Sequence, residues 1–474
     1  MHEKMDGIQN ASGIPGRWFV DEMADGSEGY PILFIHGIHA SSDTWIREND
    51  LQKSTRKYGH QAVFIDLHPD EDMWKNGQLL EGKLREIYDY FKRKVVVVGH
   101  SKGGIDVQTA LVHYGAGPYV ERVITLSSPH HGSELADLAY SKWAGWLTDA
   151  LKSKNNAVFS LQTGYMKSYR SQTDELELAK ATPFYTFGGT GWGGVNSELF
   201  WGGLYLSRFG QSDGAVLVTS SRLPYGKEVR VQDWSHTTIK EGGEIFPYLK
   251  DLLIEEVQEV SYAAVSELAK EGETSVLHRG GAFVGVGVER FSVEEEVEKI
   301  SVDWISDQQA AIYELLSPNG QVYKQFMVTE DATGFFPGAY HHSIIISKPL
   351  LGQWEMRAHN SQSEKYMLTI LFQEGVSKGW NQLAGDGETL MGSCNVHDKP
   401  VKKTYSIHHI PTKSGNKNQT TLITTENLSS LPLAEFEEGV HNITIDIEGE
   451  TQEGNEFQRT VIQTVYVDGK GNIY

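Results

Sequence analysis

One stretch of the sequence, residues 95–104, reads VVVVGHSKGG and decides the fold. Four β-branched residues in succession predict a strand that is buried on both faces, and the apolar residues of 105–114 recur at helical spacing. Between the strand and the helix lies the pattern G-x-S-x-G, centred on Ser101. A serine in this context is held in a strained turn, for which Gly99 and Gly103 leave room. The pattern therefore predicts a nucleophilic serine at a helix N-terminus, where the helix dipole favours developing negative charge.

Apolar runs on either side of this motif alternate with helical segments. Strands are predicted at residues 30–37, 62–66, 120–126 and 184–187, and an amphipathic helix at 79–91. Such alternation predicts a mostly parallel sheet with crossover helices, in which ligands bind beyond the C-terminal ends of the strands. An apolar stripe after Gly132 predicts a helical insertion at about residues 133–175, which is either part of the core or a lid over the serine.

Beyond residue 254 the helical periodicity gives way to alternation. Ile300, Val302 and Trp304 alternate with polar residues, and residues 443–448 follow the same pattern, which predicts half-buried antiparallel strands. The length of this region fits two all-β, Ig-like sandwich modules. We therefore predict an α/β domain over residues 1–255, a helical connector over 256–275, and β-sandwich modules over 276–375 and 376–474.

The composition argues against several kinds of partner and site. The chain has 42 Lys and Arg against 63 Asp and Glu, a net charge of −21, which disfavours nucleic acid and anionic membrane surfaces. Its one cysteine, Cys394, excludes an intrachain disulfide and a cysteine-type metal site. The adjacent pairs His341-His342 and His408-His409 fall on predicted strands, so the members of each pair point to opposite faces and do not chelate one ion. We predict no metal and no cofactor.

The sequence contains neither a signal-peptide pattern nor 18 apolar residues in a row. We therefore expect no transmembrane segment. The β-rich modules favour a secreted protein whose signal peptide is absent from this sequence, and a cytoplasmic location stays open. We expect the protein to be a monomer.

A serine hydroxyl is a poor nucleophile unless a histidine takes its proton and an acid holds that imidazole in place. In folds that present the nucleophile on such a strained turn, called a nucleophile elbow, the acid and then the histidine follow the serine, on loops after later strands. Asp213, in a Ser-Asp-Gly turn, and His236, in the sequence DWSHT, meet this order. Asp233 is a second candidate acid, which we rank below Asp213. Three other histidines are expected near the elbow: His100, His130 and His131.

The reaction also needs two N–H donors for the oxyanion of the tetrahedral intermediate. One belongs to the residue after the serine, and the other to the loop after the strand that ends in His36-Gly37. These donors are the backbone N–H groups of Lys102 and Ile38.

Several motifs together resemble those of the bacterial triacylglycerol lipases of the α/β-hydrolase superfamily. They are FIHG at 34–37, GHSKGG at 99–104, SPHHGS at 128–133, DG at 213–214 with SSR at 220–222, and His236. The resemblance covers roughly residues 25 to 255. It implies Ser101, Asp213 and His236 as a catalytic triad, Ile38 and Lys102 as oxyanion donors, and the insertion after Gly132 as a lid.

The resemblance does not extend to the metal sites of that family. Many of its members bind calcium through an aspartate two residues after the catalytic histidine, where this chain has Thr238. The zinc ligands of another lipase branch have no counterparts either, so neither site is expected here.

We predict a secreted serine carboxylic ester hydrolase, a lipase or esterase, that forms an acyl-enzyme. An apolar acyl-binding cleft is indicated by Trp192, Phe200, Trp201 and Tyr205, which favours lipids or other hydrophobic esters as substrates. The first alternative is a polyester or polyhydroxyalkanoate depolymerase whose β-modules hold an insoluble substrate surface. The second is a surface adhesion protein with a vestigial hydrolase fold, against which the complete set of serine, acid and histidine argues.

Overall fold

The computed structural model describes residues 2–4, 13–21, 29–254, 274–377, 395–396, 399–412, 421–426 and 437–474. Most of the predicted connector at 256–275 lies outside the described residues, as does Cys394.

Eight strands form the sheet of the N-terminal domain. They are β1 (His2–Lys4), β2 (Trp18–Asp21), β3 (Ile32–Ile35), β4 (Ala62–Ile65), β5 (Val95–His100), β6 (Val120–Leu126), β7 (Phe184–Gly189) and β8 (Lys227–Gln232). Their order is β1-β2-β4-β3-β5-β6-β7-β8, with β2 antiparallel to β4 and the other pairs parallel. The predicted α/β-hydrolase fold is confirmed, with β5 in the middle of the sheet.

Helices cover both faces of this sheet. They are α1 (Asp43–Ile46), α2 (Leu51–Lys57), α3 (Met73–Phe91), α4 (Lys102–His113), α5 (Glu134–Ala139), α6 (Gly145–Leu151), α7 (Asn156–Ser160), α8 (Thr163–Thr173), α9 (Glu177–Ala181), α10 (Phe200–Leu206) and α11 (Gly242–Leu249). Val95 and Val97 pack into a core with α3 and α4, whereas Val96 and Val98 pack into the opposite core, with α11. None of the helices in the described ranges is both long and apolar enough to cross a membrane.

The predicted insertion consists of α5 to α8 and is packed on two sides. Its apolar stripe is largely buried, as at Leu135, Leu138 and Leu147. On one side, the Tyr169 hydroxyl lies 2.7 Å from Oγ1 of Thr109 in α4. The other side meets the C-terminal half of the chain. Whether the insertion opens as a lid stays a prediction.

The first β-rich region is one seven-stranded antiparallel sheet. Its strands are β9 (Thr274–Val293), β10 (Val297–Ser306), β11 (Ile312–Leu316), β12 (Val322–Tyr323), β13 (Met327–Glu330), β14 (Tyr340–Ser347) and β15 (Gly352–Glu374). β15 pairs with β9 on either side of a register shift between Asn360 and Glu364. Before the shift β15 also pairs with β11, and after it with β10. Trp304 of β10 and Tyr313 of β11 lie in the same hydrophobic core, although their strands pair with different parts of β15.

The strands of the second β-rich region are β16 (Asn395–Val396), β17 (Lys399–Pro400), β18 (Lys402–Pro411), β19 (Thr421–Thr425), β20 (Gly439–Glu450) and β21 (Glu456–Val467). Four of them form an antiparallel sheet in the order β19-β18-β20-β21. The predicted β-rich C-terminal modules are thus confirmed. Their Ig-like topology and the predicted domain boundaries stay predictions.

The prediction of half-buried strands is wrong for β10, which is buried on both faces from Ile300 to Ser306. Trp304 and its neighbours of the same parity fill the core of their own sheet. Asp303 and Ile305 instead line a cavity shared with Leu135 of the insertion. The polar face therefore meets another domain rather than water, a difference that alternation of residue types does not reveal.

Candidate active site

Ser101 occupies a strained turn between β5 and α4, with φ 53° and ψ −132°. A Cβ atom at Gly99 would lie 2.7 Å from the Gly104 nitrogen, and one at Gly103 would lie 2.6 Å from the His36 carbonyl oxygen. Real Cβ atoms do not approach other atoms so closely, so the turn requires both glycines. The local sequence thus lifts Ser101 to the C-terminal edge of the sheet, as the motif predicts.

The structure brings Asp213 and His236 together. Nδ1 of His236 lies 2.7 Å from Oδ2 of Asp213, and the His236 backbone N–H donates to the Asp213 carbonyl at 2.9 Å. The other carboxylate oxygen of Asp213 accepts the N–H groups of Ala215 and Val216, at 3.0 and 2.8 Å. Asp213 is fully buried. Its carboxylate is therefore fixed by its own turn and presents one oxygen to the imidazole.

The second candidate acid, Asp233, takes a different position. Asp233 is exposed, and its carboxylate lies beside Gly191: a Cβ atom added to Gly191 would be 2.5 Å from Oδ1 of Asp233. Among the hydrogen bonds of the described residues, none joins its side chain to His236. The structure thus pairs His236 with Asp213 rather than with Asp233.

The other three histidines are not interchangeable with His236. His130 is buried after β6, with Nε2 3.5 Å from the Thr125 hydroxyl, and His131 is exposed. The side chain of His100 contacts the loop of His236, with Nε2 2.8 Å from the His236 carbonyl oxygen.

The two predicted oxyanion donors follow β3 and β5. Lys102 begins α4, and its buried ammonium group lies 2.5 Å from Oδ1 of Asp106. Burial raises the pKa of Asp106 to about 6, although Lys102 opposes this shift. Both residues lie on α4, and Asp106 also accepts a hydrogen bond from the side-chain amide of Asn76 on α3 at 3.0 Å, so this network ties the start of α4 to α3.

His36 orients the other donor, a role that the sequence reasoning missed. Its Nε2 accepts the Leu67 N–H at 2.9 Å, so its Nδ1 carries the proton and donates to the Gly37 carbonyl at 2.8 Å. Burial lowers the pKa of His36, which keeps the ring neutral as this pattern requires. In a trans peptide the C=O and the next N–H point in opposite directions. His36 therefore sets the direction of the Ile38 N–H. The sequence feature that could have indicated this role is the His36-Gly37 pair at the end of a predicted strand.

The predicted aromatic residues lie on and around α10. Phe200, Trp201 and Tyr205 are buried. A Cβ atom at Gly202 would lie 2.1 Å from the Gly214 carbonyl oxygen, so α10 packs directly on the turn of the candidate acid. Trp201 and Tyr205 also line a cavity together with Leu135 and Leu138 of α5, and Asp303 and His341 line it from the C-terminal half.

Residues 331–339 of the C-terminal half, named here the cover segment, lie against this region. The Ala332 N–H donates to the Glu198 carbonyl at 3.3 Å, and a Cβ atom at Gly202 would lie 2.7 Å from the Thr333 methyl group. A Cβ atom at Gly334 would lie 3.1 Å from Cδ1 of Ile38. The segment therefore meets the loop that carries a candidate oxyanion donor.

Phe335 and Phe336 extend this contact. They are 2% and 3% exposed and belong to one hydrophobic cluster with Leu135, Leu138 and Tyr205, against which Ile38 packs. Tyr205, which the sequence assigns to an acyl-binding cleft, is thus packed against side chains of the C-terminal half.

A buried ionic cluster holds the start of the cover segment. His341 lies between Asp303 and Asp331, with nitrogen–oxygen distances of 2.8 and 3.4 Å. Burial lowers the pKa of His341, but the two carboxylates raise it more strongly, to about 10. His342 faces elsewhere, with Nε2 2.9 Å from the Gln308 carbonyl oxygen. In the part of the chain that the structure describes, no three His, Cys, Asp or Glu side chains are grouped as metal ligands.

Comparison with known proteins agrees with this architecture. The PGAP1-like alpha/beta domain family matches residues 26–162. Among curated proteins, none is detectably similar to the chain. The chain is similar over nearly its whole length to a solved structure, Bacillus licheniformis lipase BlEst2 in its propeptide form. The two are 38% identical with a TM-score of 0.87, over 98% of this chain and 100% of that chain.

The same lipase in its mature form is also similar, with 52% identity. That comparison covers 51% of this chain and 99% of the mature lipase, with a TM-score of 0.49.

Proposed function

Since the chain belongs to the bacterial α/β-hydrolase family of lipase BlEst2 and is therefore a carboxylic ester hydrolase, we propose that it cleaves hydrophobic esters through an acyl-enzyme on Ser101. The hydrogen bond between His236 Nδ1 and the buried carboxylate of Asp213 is the observation that carries this proposal. A buried carboxylate in this position fixes the tautomer of the imidazole and stabilises the imidazolium that forms during catalysis.

The proposed reaction follows from the placement of the protons. The Nδ1–H group of His236 donates a hydrogen bond to Asp213, which leaves the Nε2 lone pair free to take the proton of Ser101. As Ser101 Oγ bonds to the ester carbonyl carbon, the N–H groups of Ile38 and Lys102 donate to the oxyanion. The His236 imidazolium then protonates the leaving alkoxide. Water attacks the acyl-enzyme with the same proton transfers and releases the carboxylic acid.

We further propose that the C-terminal β-rich half is a propeptide that covers this site. The support is twofold: a relative that matches nearly the whole chain is a propeptide form, and the cover segment packs against Ile38 and Tyr205. Its removal by proteolysis would open the cleft. Secretion, with maturation outside the cell, fits a precursor of this kind.

The proposal on Ser101 is tested with the full-length chain, before and after limited proteolysis. Ser101→Ala should lower hydrolysis of p-nitrophenyl butyrate by roughly a thousandfold or more, because the triad acts as a unit. A fluorophosphonate should label Ser101 and leave the variant unlabelled. Activity of the folded variant near that of the wild type would remove Ser101 from the mechanism.

The substrate class is tested by comparing emulsified triglyceride with polyester film. We expect the triglyceride to be hydrolysed faster, because the hydrolase side of the cavity at α10 is lined by Leu135, Leu138, Trp201 and Tyr205. Faster hydrolysis of the film by the full-length chain than by the proteolysed form would instead favour the alternative, in which the β-modules hold a depolymerase on an insoluble surface.

A further inference from the structure

His100, the residue before the nucleophile, is packed against the histidine of the proposed triad. The ring centroids of His100 and His236 are 4.6 Å apart at an interplanar angle of 44°, and Trp45 contacts His100 edge-on at 6.2 Å. Burial, followed by the charges of His236 and Lys240, holds the pKa of His100 well below its ordinary value. The ring is therefore neutral and carries a single N–H proton.

The position of that proton follows from the partner. Nε2 of His100 lies 2.8 Å from the carbonyl oxygen of His236. A carbonyl oxygen only accepts, so His100 is protonated on Nε2 and donates to it.

His236 is thus held by three hydrogen bonds that differ in what they connect. Its Nδ1 and its backbone N–H both bind Asp213, which fixes the imidazole relative to the acid. Its carbonyl binds His100, which adjoins Ser101 on β5. Of these three bonds, the last alone joins the histidine loop to the strand of the nucleophile.

We propose that His100 is a positioning residue that sets the distance between the imidazole of His236 and the hydroxyl of Ser101. The proposal rests on the proposed triad. A displacement of reacting groups by about 1 Å costs on the order of a hundredfold in rate. The bond to His100 does not touch the apolar cleft, so its loss should lower kcat and leave KM nearly unchanged.

The test compares three variants of the full-length chain, before and after limited proteolysis, on p-nitrophenyl butyrate. His100→Phe keeps an aromatic ring but removes the donor. His100→Gln keeps a donor, because its amide nitrogen extends about as far from Cβ as Nε2 does. His130→Gln is the matched control, a buried neutral histidine of the same domain that does not contact His236. Each rate is divided by the concentration of active sites, which is measured as the amount of fluorophosphonate bound when labelling is complete.

We expect kcat to fall about tenfold to a hundredfold in His100→Phe, with KM within about threefold of the wild type. His100→Gln should recover most of kcat, and His130→Gln should keep it. Equal kcat per titrated site in His100→Phe and the wild type would overturn the proposal, as would an equal loss in all three variants. Neither result would affect the proposed function, which depends on the separate outcome for Ser101→Ala.

Discussion

Replacing Phe336 with alanine should loosen the cover segment and raise the activity of the full-length chain. Phe336 is 3% exposed and lines the cavity that Leu135, Leu138 and Trp201 form on the hydrolase side. Burying a phenylalanine side chain lowers the free energy by about 1.5–3 kcal/mol, and only the covered state gains this stabilisation. Because 1.4 kcal/mol corresponds to a factor of ten, the uncovered fraction should rise about tenfold to 150-fold.

The initial rate of p-nitrophenyl butyrate hydrolysis by uncleaved protein reports this fraction directly. Val328→Ala is the matched control, because Val328 lies on β13 just before the cover segment but is 48% exposed. Thermal unfolding of each variant shows whether the β-rich half remains folded. The reasoning fails if folded Phe336→Ala has the rate of the wild type, or if Val328→Ala raises the rate equally.

Three further predictions concern single contacts. Asp213→Asn should lower kcat about ten-thousandfold by favouring the wrong tautomer of the imidazole, whereas Asp233→Asn should keep kcat within about twofold of the wild type. The opposite ranking in steady-state kinetics would exchange the roles of the two aspartates. His36→Leu should lower kcat about a hundredfold at similar KM, because a misdirected oxyanion donor no longer stabilises the transition state, and an unchanged kcat would contradict this role. Arg459→Met should destabilise the β-rich half by about 3–5 kcal/mol in chemical unfolding, because it leaves Glu294 charged and buried without its partner. The double variant Arg459→Met with Glu294→Leu should lose less, and equal losses would show that the ion pair has no such role.

The sequence predicts the hydrolase half well because its signals are local. The four valines before Ser101 alternate between two cores, and the glycines around the serine are required by contacts of 2.6–2.7 Å. Both Asp213 and Asp233 follow Ser101 and precede His236, so chain order alone does not separate them. The Ser-Asp-Gly turn on a loop after a predicted strand favours Asp213, and the structure pairs Asp213 with His236.

Contacts between the two halves could not be predicted in this way. Asp303 and Thr444 alternate with apolar residues and so resemble a solvent-exposed face, yet both are buried. Thr444 lies near the Lys142 N–H, and Asp446 accepts from the Lys142 ammonium group at 3.2 Å. A polar residue in a strand has the same pattern whether its partner is water or another domain. The contacts of the cover segment could not be predicted either, because its Gly and Pro residues indicate only a loop and not what the loop packs against.

The order of the segments along the chain also determines the order in which they are made. Ser101, Asp213 and His236 all precede Asp331, where the cover segment begins. At about 5 to 20 residues per second, a ribosome needs roughly 5 to 20 s to extend the chain from His236 to Asp331. During that interval the nascent hydrolase half has every strand of its sheet but no cover. If the cover segment acts as proposed, ribosome-bound chains stalled between His236 and Asp331 should present the cleft in its uncovered state without any proteolysis.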